Sequence, residues 1–300
     1  MSMFRSRRQE AISRRIKVAV AVAALLLALA VLGAWLTTRY YLSGAANRPE
    51  SSAPSSTPTE EITAETATTL LILGDAGKEH FLLVQFAPAD RQGYVAAVPA
   101  TLDAGNGQTI AITVQKNGYP RVKQAIQNTL QLPLSHYIAA DTKAVEEYMN
   151  YLEGGLTFTL PEEVTYTDEN GLTTHLSAGQ RQLTAGQVGL LLRYEGWSST
   201  PVGHTVVAQL VEAILNQYMT PNHRFDGDFA ALSNLVQTDI RIDHYNAYRT
   251  ALQAMGDANN AGSLIQVVSI VGATESGLFK PDLTAMQQSP LYSQTEGGAG

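Results

Sequence analysis

Residues 69–98 read TLLILGDAGKEHFLLVQFAPADRQGYVAAV. Thr69–Leu73 is a short apolar run ended by Gly74, the pattern of a strand buried on both faces. His80–Phe86 and Gly93–Val98 are two more such runs, and Pro88-Ala89-Asp90-Arg91 between them is a hairpin-like turn signal. Strands apolar on both faces need a layer packed on each side. The sequence that follows supplies it.

Gln108–Val114 alternates weakly and predicts a fourth strand. Pro120 then opens a helix, as proline does at a first helical position, with Val122, Ala125, Ile126 and Leu130 on one face. Pro133 ends it before a strand at His136–Ala140. Asp141 is a helix N-cap, Val145, Tyr148, Met149 and Leu152 follow at helical spacing, and Gly154-Gly155 stops the helix. Short strands are expected at Thr157–Leu160, Val164–Thr167 and Leu172–Leu176, the last two joined by a turn at Asp168–Gly171. Helices are expected from Thr184 to Tyr194, at Thr205–Tyr218, near Phe229–Val236 and at Asp243–Met255, then a late strand at Leu264–Val271 and a polar tail from Ser289. Alternating strands and helices give an α/β fold, a single three-layer domain with a mixed central sheet flanked by helices over residues 69–288.

The chain has 300 residues, no cysteine and a formal net charge of -7. Hydrophobic residues at 45% against 16% charged are the composition of a folded protein. Without cysteine there is no disulfide scaffold and no thiolate chemistry. The acidic balance argues against nucleic acid as a partner. The charge is unevenly placed: residues 1–38 carry six cations against Glu10, or +5, which leaves -12 for the rest. Val18–Leu36 follows the cations as nineteen residues without a charge, close to the roughly 20 that span a bilayer. Trp35, Tyr40 and Tyr41 mark its far end. The expectation is a basic cytoplasmic segment at 1–17, one transmembrane anchor at 18–38, a Ser/Thr/Pro-rich tether at 39–68 and an extracellular domain, with the protein held at the cell membrane. A cleaved signal peptide is the rival reading; its apolar region would be shorter, roughly 7–15 residues.

The six histidines show no metal-ligand spacing, and no G-x-S-x-G elbow is present. Gly74-Asp75-Ala76-Gly77-Lys78 follows a strand, where ligands bind in open α/β sheets, but lacks the phosphate-loop spacing. Arg193 directly follows the apolar run Leu190–Leu192, so its charge must pair with a carboxylate or serve an anion.

The basic N-terminus, single anchor and polar tether, then LLILGDAG, FLLVQFAP and GYVAAVPATLDA, resemble the LytR-CpsA-Psr (LCP) family of cell-wall proteins. YPRVKQAIQNTLQLPLSHYIAADTKAVEEYMNYLEGGLTFTLPEEV and HLSAGQRQLTAGQVGLLLRYEG are similar to further family segments, and the match covers residues 69–220. The resemblance implies an extracellular magnesium-dependent phosphotransferase that moves a glycopolymer from a polyprenyl pyrophosphate carrier to peptidoglycan. It implies a lipid tail in a hydrophobic tunnel, arginines on the pyrophosphate and carboxylates on Mg2+. The partners would be a polyprenyl-phosphate-type lipid or wall glycopolymer, and the membrane through the first helix.

The family's functional residues carry over thinly. Its "GRSD" segment falls on Gly77–Phe81, where Glu79 stands for the carboxylate and Lys78 for a displaced cation. Its "PRD" falls on Pro99-Ala100-Thr101, without either charge. Arg193 matches the first arginine of "RyR", and Glu195 occupies the second. In the later arginine-rich signature, His204 and Val207 stand in arginine positions. The residual site implied is Arg193 and Glu79 as catalytic residues, Lys78 and Arg193 on the substrate, and Asp75 and Glu79 on the metal. With at least four cationic positions empty, the expectation is a divergent member acting in glycopolymer attachment or its regulation. The alternative is an inactive module of the same fold that binds lipid, polymer or protein.

Overall fold

The computed structural model describes residues 66–293, apart from 169, 222, 224 and 260–262. The span expected at Val18–Leu36 and the tether as far as residue 65 lie outside the described residues. Among the described residues no helix is long and apolar enough to cross a membrane.

The chain runs β1 (Ala67–Leu73), β2 (His80–Ala87), β3 (Gln92–Val98), α1 (Ile110–Asn117), α2 (Tyr119–Leu130), β4 (His136–Ala140) and α3 (Thr142–Leu152). Next come β5 (Leu156–Leu160), β6 (Val164–Thr167), β7 (Thr173–Leu176), β8 (Gly179–Leu183), α4 (Ala185–Arg193) and α5 (Thr200–Tyr218). It ends with α6 (Asp228–Ser233), β9 (Gln237–Thr238), α7 (Ile242–Ala258), β10 (Ile265–Val268), β11 (Gly272–Glu275), β12 (Leu278–Pro281), α8 (Leu283–Met286) and α9 (Pro290–Ser293).

The central sheet has the order β10-β3-β2-β1-β4-β9. It is mixed: β1 pairs antiparallel with β2 and parallel with β4, and β10 pairs parallel with β3. Side chains on alternate positions go to opposite faces. Leu70, Ile72, Phe81 and Leu83 pack on one side with Val122 and Ile126 of α2; Leu82, Val84 and Val95 pack on the other with Val207, Ala208 and Val211 of α5. A third cluster joins the β5–β8 ribbon and the β6–β7 hairpin to α4 and the far side of α5 through Leu156, Phe158, Leu183, Val206 and Leu210. Helix α5 therefore lies between the sheet and the ribbon.

Several expectations are corrected. The predicted strand at Gln108–Val114 is helix α1. Thr109 caps it by accepting from the Ile112 N–H, and Ile110, Thr113 and Val114 share one buried face, a period of 3–4 that the short run had hidden. The late strand stops at Val268 and is followed by the β11–β12 hairpin. The helix expected over Phe229–Val236 ends at Ser233, ahead of β9. The long helix begins at Thr200, with proline in its first turn where it is tolerated. The tail expected from Ser289 is engaged through Leu291, which is wholly buried and accepts at its carbonyl from Gln85 Nε2 at 3.0 Å. That glutamine is itself fully buried in β2 and also donates to Thr68 Oγ1 at 3.0 Å.

Strand β10 sits at the end of the sheet, where unpaired backbone groups are a liability. Asn216 of α5 closes this edge: its Oδ1 accepts from the Ile265 N–H at 2.8 Å and its Nδ2 donates to the Ile265 carbonyl at 2.9 Å. Glu212, one turn earlier, accepts from the Val267 N–H. The match is geometric: four residues of helix rise about 6 Å and two of strand about 6.6 Å. On the ribbon side, Gln217 accepts from the Thr157 N–H at 2.9 Å and donates to the Gly155 carbonyl at 2.6 Å. Asn216→Ala should lower stability by about 1–3 kcal/mol, since it orphans two partly buried backbone groups. Chemical denaturation reads that loss, and amide exchange should quicken at Ile265 more than at the Val95 amide on the inner strand.

Candidate functional site

The β1–β2 loop, the C-terminal end of β3, the end of α4 and the first turns of α5 meet at one place. A hollow of about 10 Å³, no more than one water's worth of room, is lined there by Glu79, His80, Val98, Ala100, His204 and Val207, among others. The sequence positions that match the family's charged motifs, at 79, 100, 204 and 207, are thus neighbours in space.

Each predicted site residue has a definite partner. Asp75 Oδ1 accepts from the Thr142 N–H at 3.2 Å, so it sits at the N-terminus of α3 beside the capping Asp141. Glu79 Oε2 accepts from the Gly77 N–H at 3.0 Å, which closes the loop on itself. Lys78 Nζ lies 2.8 Å from Glu195 Oε1, and this exposed pair ties the β1–β2 loop to the segment after α4. Arg193 donates from NH2 to Glu146 Oε1 of α3 at 2.7 Å. The structure brings Glu79 to the hollow, directs Arg193 toward α3, and leaves Lys78 and Asp75 on the surrounding loop.

Glu146 was not singled out from the sequence. Its signal is indirect. Gly189 in α4 has no side chain, and a Cβ there would come within 2.0 Å of Glu146 Oε1. The glycine makes room for the carboxylate to cross α4 and reach Arg193. Alanine at 189 would displace it.

Burial lowers the basicity of both histidines in the hollow. His80 donates from Nε2 to the Leu192 carbonyl at 2.9 Å, and burial lowers its basicity against that bond. Burial also lowers His204, with the neighbouring His80 adding to the effect. Position 204 is one where the family pattern calls for fixed positive charge.

The magnesium that the resemblance implies finds no formed donor set. Among the described residues no three histidine, aspartate or glutamate side chains converge as a metal group, and both Asp75 and Glu79 accept from backbone N–H groups. Leu70, Phe81, Leu83, Ile126 and Leu130 on one face of the sheet and Leu82, Val95 and Val207 on the other are each no more than 2% exposed. The larger of two cavities that stand out among the described residues, about 620 Å³, is an open groove between β5 and α5, outside the sheet layers.

Two outcomes follow from this geometry. Gly189→Ala should break the Arg193–Glu146 pair and cost roughly 1 kcal/mol, while in a Glu146→Ala background the same change should be neutral or stabilising, because alanine is the better helix former; a double-mutant cycle by urea denaturation measures the coupling. For His80 and His204, the folded value lies below the ordinary 6.5. The unfolded chain therefore takes up protons first, and stability that is complete above the ordinary imidazole value is lost as pH falls through it. The urea midpoint should drop between about pH 7.5 and about pH 5, and His204→Gln should flatten part of that drop.

Known proteins share this arrangement of elements. The chain superposes on a protein from Eubacterium siraeum described as a transcription regulator with a TM-score of 0.68, at 16% identity, over 83% of this chain and 98% of that one. TagV of Bacillus subtilis gives 0.63 at 16% identity over 77% and 98%, and TagT bound to LI-WTA gives 0.57 at 13% identity over 83% and 97%. No curated protein matches the chain in sequence. The model of the LytR_cpsA_psr family matches residues 88–288, and the chain belongs to that family.

Proposed function

We propose that this protein is a membrane-anchored, outward-facing envelope protein that works in attaching glycopolymer to the cell wall or in regulating that attachment, with the family's grip on a carrier diphosphate largely given up. Family membership and the fold shared with TagV and TagT support the setting. The apolar stretch Val18–Leu36 behind a basic cluster supports the anchor.

One observation carries the reading of the site. Where the family pattern puts cations around one point, this chain puts Ala100, His204 and Val207, and it pairs each nearby cation internally, Lys78 with Glu195 and Arg193 with Glu146. Phosphoryl transfer rests on positioning and charge neutralisation. A diphosphate arriving here meets no fixed cation free of a carboxylate at these positions. Losing one partner of a desolvated charge pair costs on the order of 2–5 kcal/mol, so several such losses leave at most weak binding. This favours handling of wall polymer, lipid or a partner protein over turnover of the diphosphate link.

The test is binding of undecaprenyl pyrophosphate to the purified full-length protein, with and without Mg2+. Wild type should bind weakly and without dependence on magnesium. Returning charge with Ala100→Arg and Glu195→Arg together should tighten binding tenfold or more. Tight magnesium-dependent binding by wild type, or no response to the double substitution, would remove the proposal.

A further inference from the structure

His136 and His244, far apart in the chain, meet at the β9 end of the sheet. His136 opens β4, and Asp239 directly follows β9, the short strand that pairs with β4 at the sheet's edge. The Asp239 carboxylate fastens the two. Its Oδ1 accepts from the Tyr137 N–H at 2.8 Å and lies 3.4 Å from His136 Nδ1, and its Oδ2 accepts from Lys123 Nζ of α2 at 2.6 Å. Lys123 also donates to the Ser135 carbonyl at 3.1 Å, so one ion pair gathers α2, β4 and the segment after β9. The ladder itself is slight: β9 pairs only Thr238 with Ile138 and Gln237 with Ala139.

Helix α7 starts at once and lays its first turn on the same point. Its His244 ring lies against His136, with centroids 4.7 Å apart and planes tilted by 34°. Tyr248, one turn on, meets the His136 ring edge-on. His244 also serves the helix end, where its Nδ1 accepts from the Arg241 N–H at 3.4 Å. Arg241 in turn is 2.8 Å from Asp243.

The charges around these rings balance while both are neutral. Lys123 of α2 is set against Asp239 and Arg241 against Asp243, and the phenols of Tyr137 and Tyr248 add no charge. A proton on His136 can be set against Asp239. A second, on His244, places two cations in ring contact between Lys123 and Arg241, while both carboxylates already hold a cation each. Burial lowers the basicity of His136 most, the neighbouring His244 and Lys123 add to it, and Asp239 works against them. At Asp239 burial acts upward, but the bonds from Lys123 and the Tyr137 N–H outweigh it and hold the carboxyl below its usual range. The fastening carboxylate therefore stays charged while imidazoles titrate. His136 takes up a proton more readily once opened, so stability of the closed junction is complete above the ordinary imidazole value and is lost as pH falls through it.

We infer that His136 and His244 form an acid-sensitive latch: when both rings carry a proton, the first turn of α7 and the edge strand β9 part from β4 while the rest of the sheet stays closed. The parts released are ones that open at little cost, a strand of two residues and a helix start exposed at Arg241, Ile242 and Asp243. The latch rests on these side chains alone and holds whatever chemistry takes place at the hollow.

The experiment is amide hydrogen exchange on the full-length protein at about pH 7.5 and about pH 5.5, read as protection factors so that the intrinsic pH dependence of exchange is removed. Two amides report the latch: Tyr137, bonded to Asp239, and Tyr245, bonded to the Arg241 carbonyl. Leu83, in the middle of β2, reports the sheet. On acidification protection should fall roughly tenfold or more at Tyr137 and Tyr245, and less than about threefold at Leu83. His244→Gln keeps an acceptor for the helix end and takes no proton, so it should remove most of the fall with an unchanged urea midpoint at about pH 7.5. His136→Phe keeps a ring against Tyr248 and should act likewise; His244→Gln, on the helix surface, decides if that variant does not fold. An equal fall at all three amides, which is acid unfolding of the whole domain, would overturn the inference. So would protection at Tyr137 and Tyr245 that does not fall, or a fall that persists in His244→Gln.

Discussion

Helix α5 must satisfy strand edges on two sides at once, and the arrangement around it depends on that demand. Buried main-chain groups are costly to leave unpaired. Here the sheet ends at β10 and the ribbon begins at β5, and neither has a neighbouring strand on its open side. Consecutive residues, Asn216 and Gln217, face about 100° apart on a helix, so one amide reaches β10 and the next reaches β5. The apolar residues of the same helix fill the cores on either side. The placement of α5 in turn fixes where His204 and Val207 enter the hollow and where Gln209 and Glu212 face the groove.

The sheet was legible because its strands are apolar on both faces and bounded by Gly74, Pro88 and Pro133, and α3 because Asp141 caps it as its position suggests. Helix α1 was not, since a run of Thr, Ile, Ala and Val satisfies strand and helix patterns alike over seven residues, and only Thr109 tips it. The candidate site was legible as a set of aligned positions but not as chemistry. That Glu79, Ala100, His204 and Val207 gather at one point follows from matching each to a motif. That Arg193 is engaged by Glu146 depends on a carboxylate 47 residues earlier, and sequence carries no rule that joins them.

The electrostatics of the site share one theme. Two cations with two carboxylate partners, and two histidines made less basic by burial, leave little fixed positive charge at the mouth of the hollow. The pairs also act as fastenings. Lys78–Glu195 joins the first loop to the connection between α4 and α5, and Arg193–Glu146 joins α4 to α3. In this chain residues that could hold a ligand hold the protein's own loops and helices instead.

The buried Gln85 bears on how the chain is made. Its amide reaches the carbonyl of Leu291, 206 residues further on. A central strand near the start of the described residues is therefore sealed by Leu291, near their end, alongside Tyr292, whose hydroxyl donates to the Leu130 carbonyl. A chain emerging stepwise can pair β1 with β2 and β2 with β3 early, and the Gln85 amide then has Thr68 Oγ1 as an acceptor but gains its second, the Leu291 carbonyl, only when that segment arrives. Closure of the core on that face therefore waits on a segment 206 residues downstream of the strand that it seals.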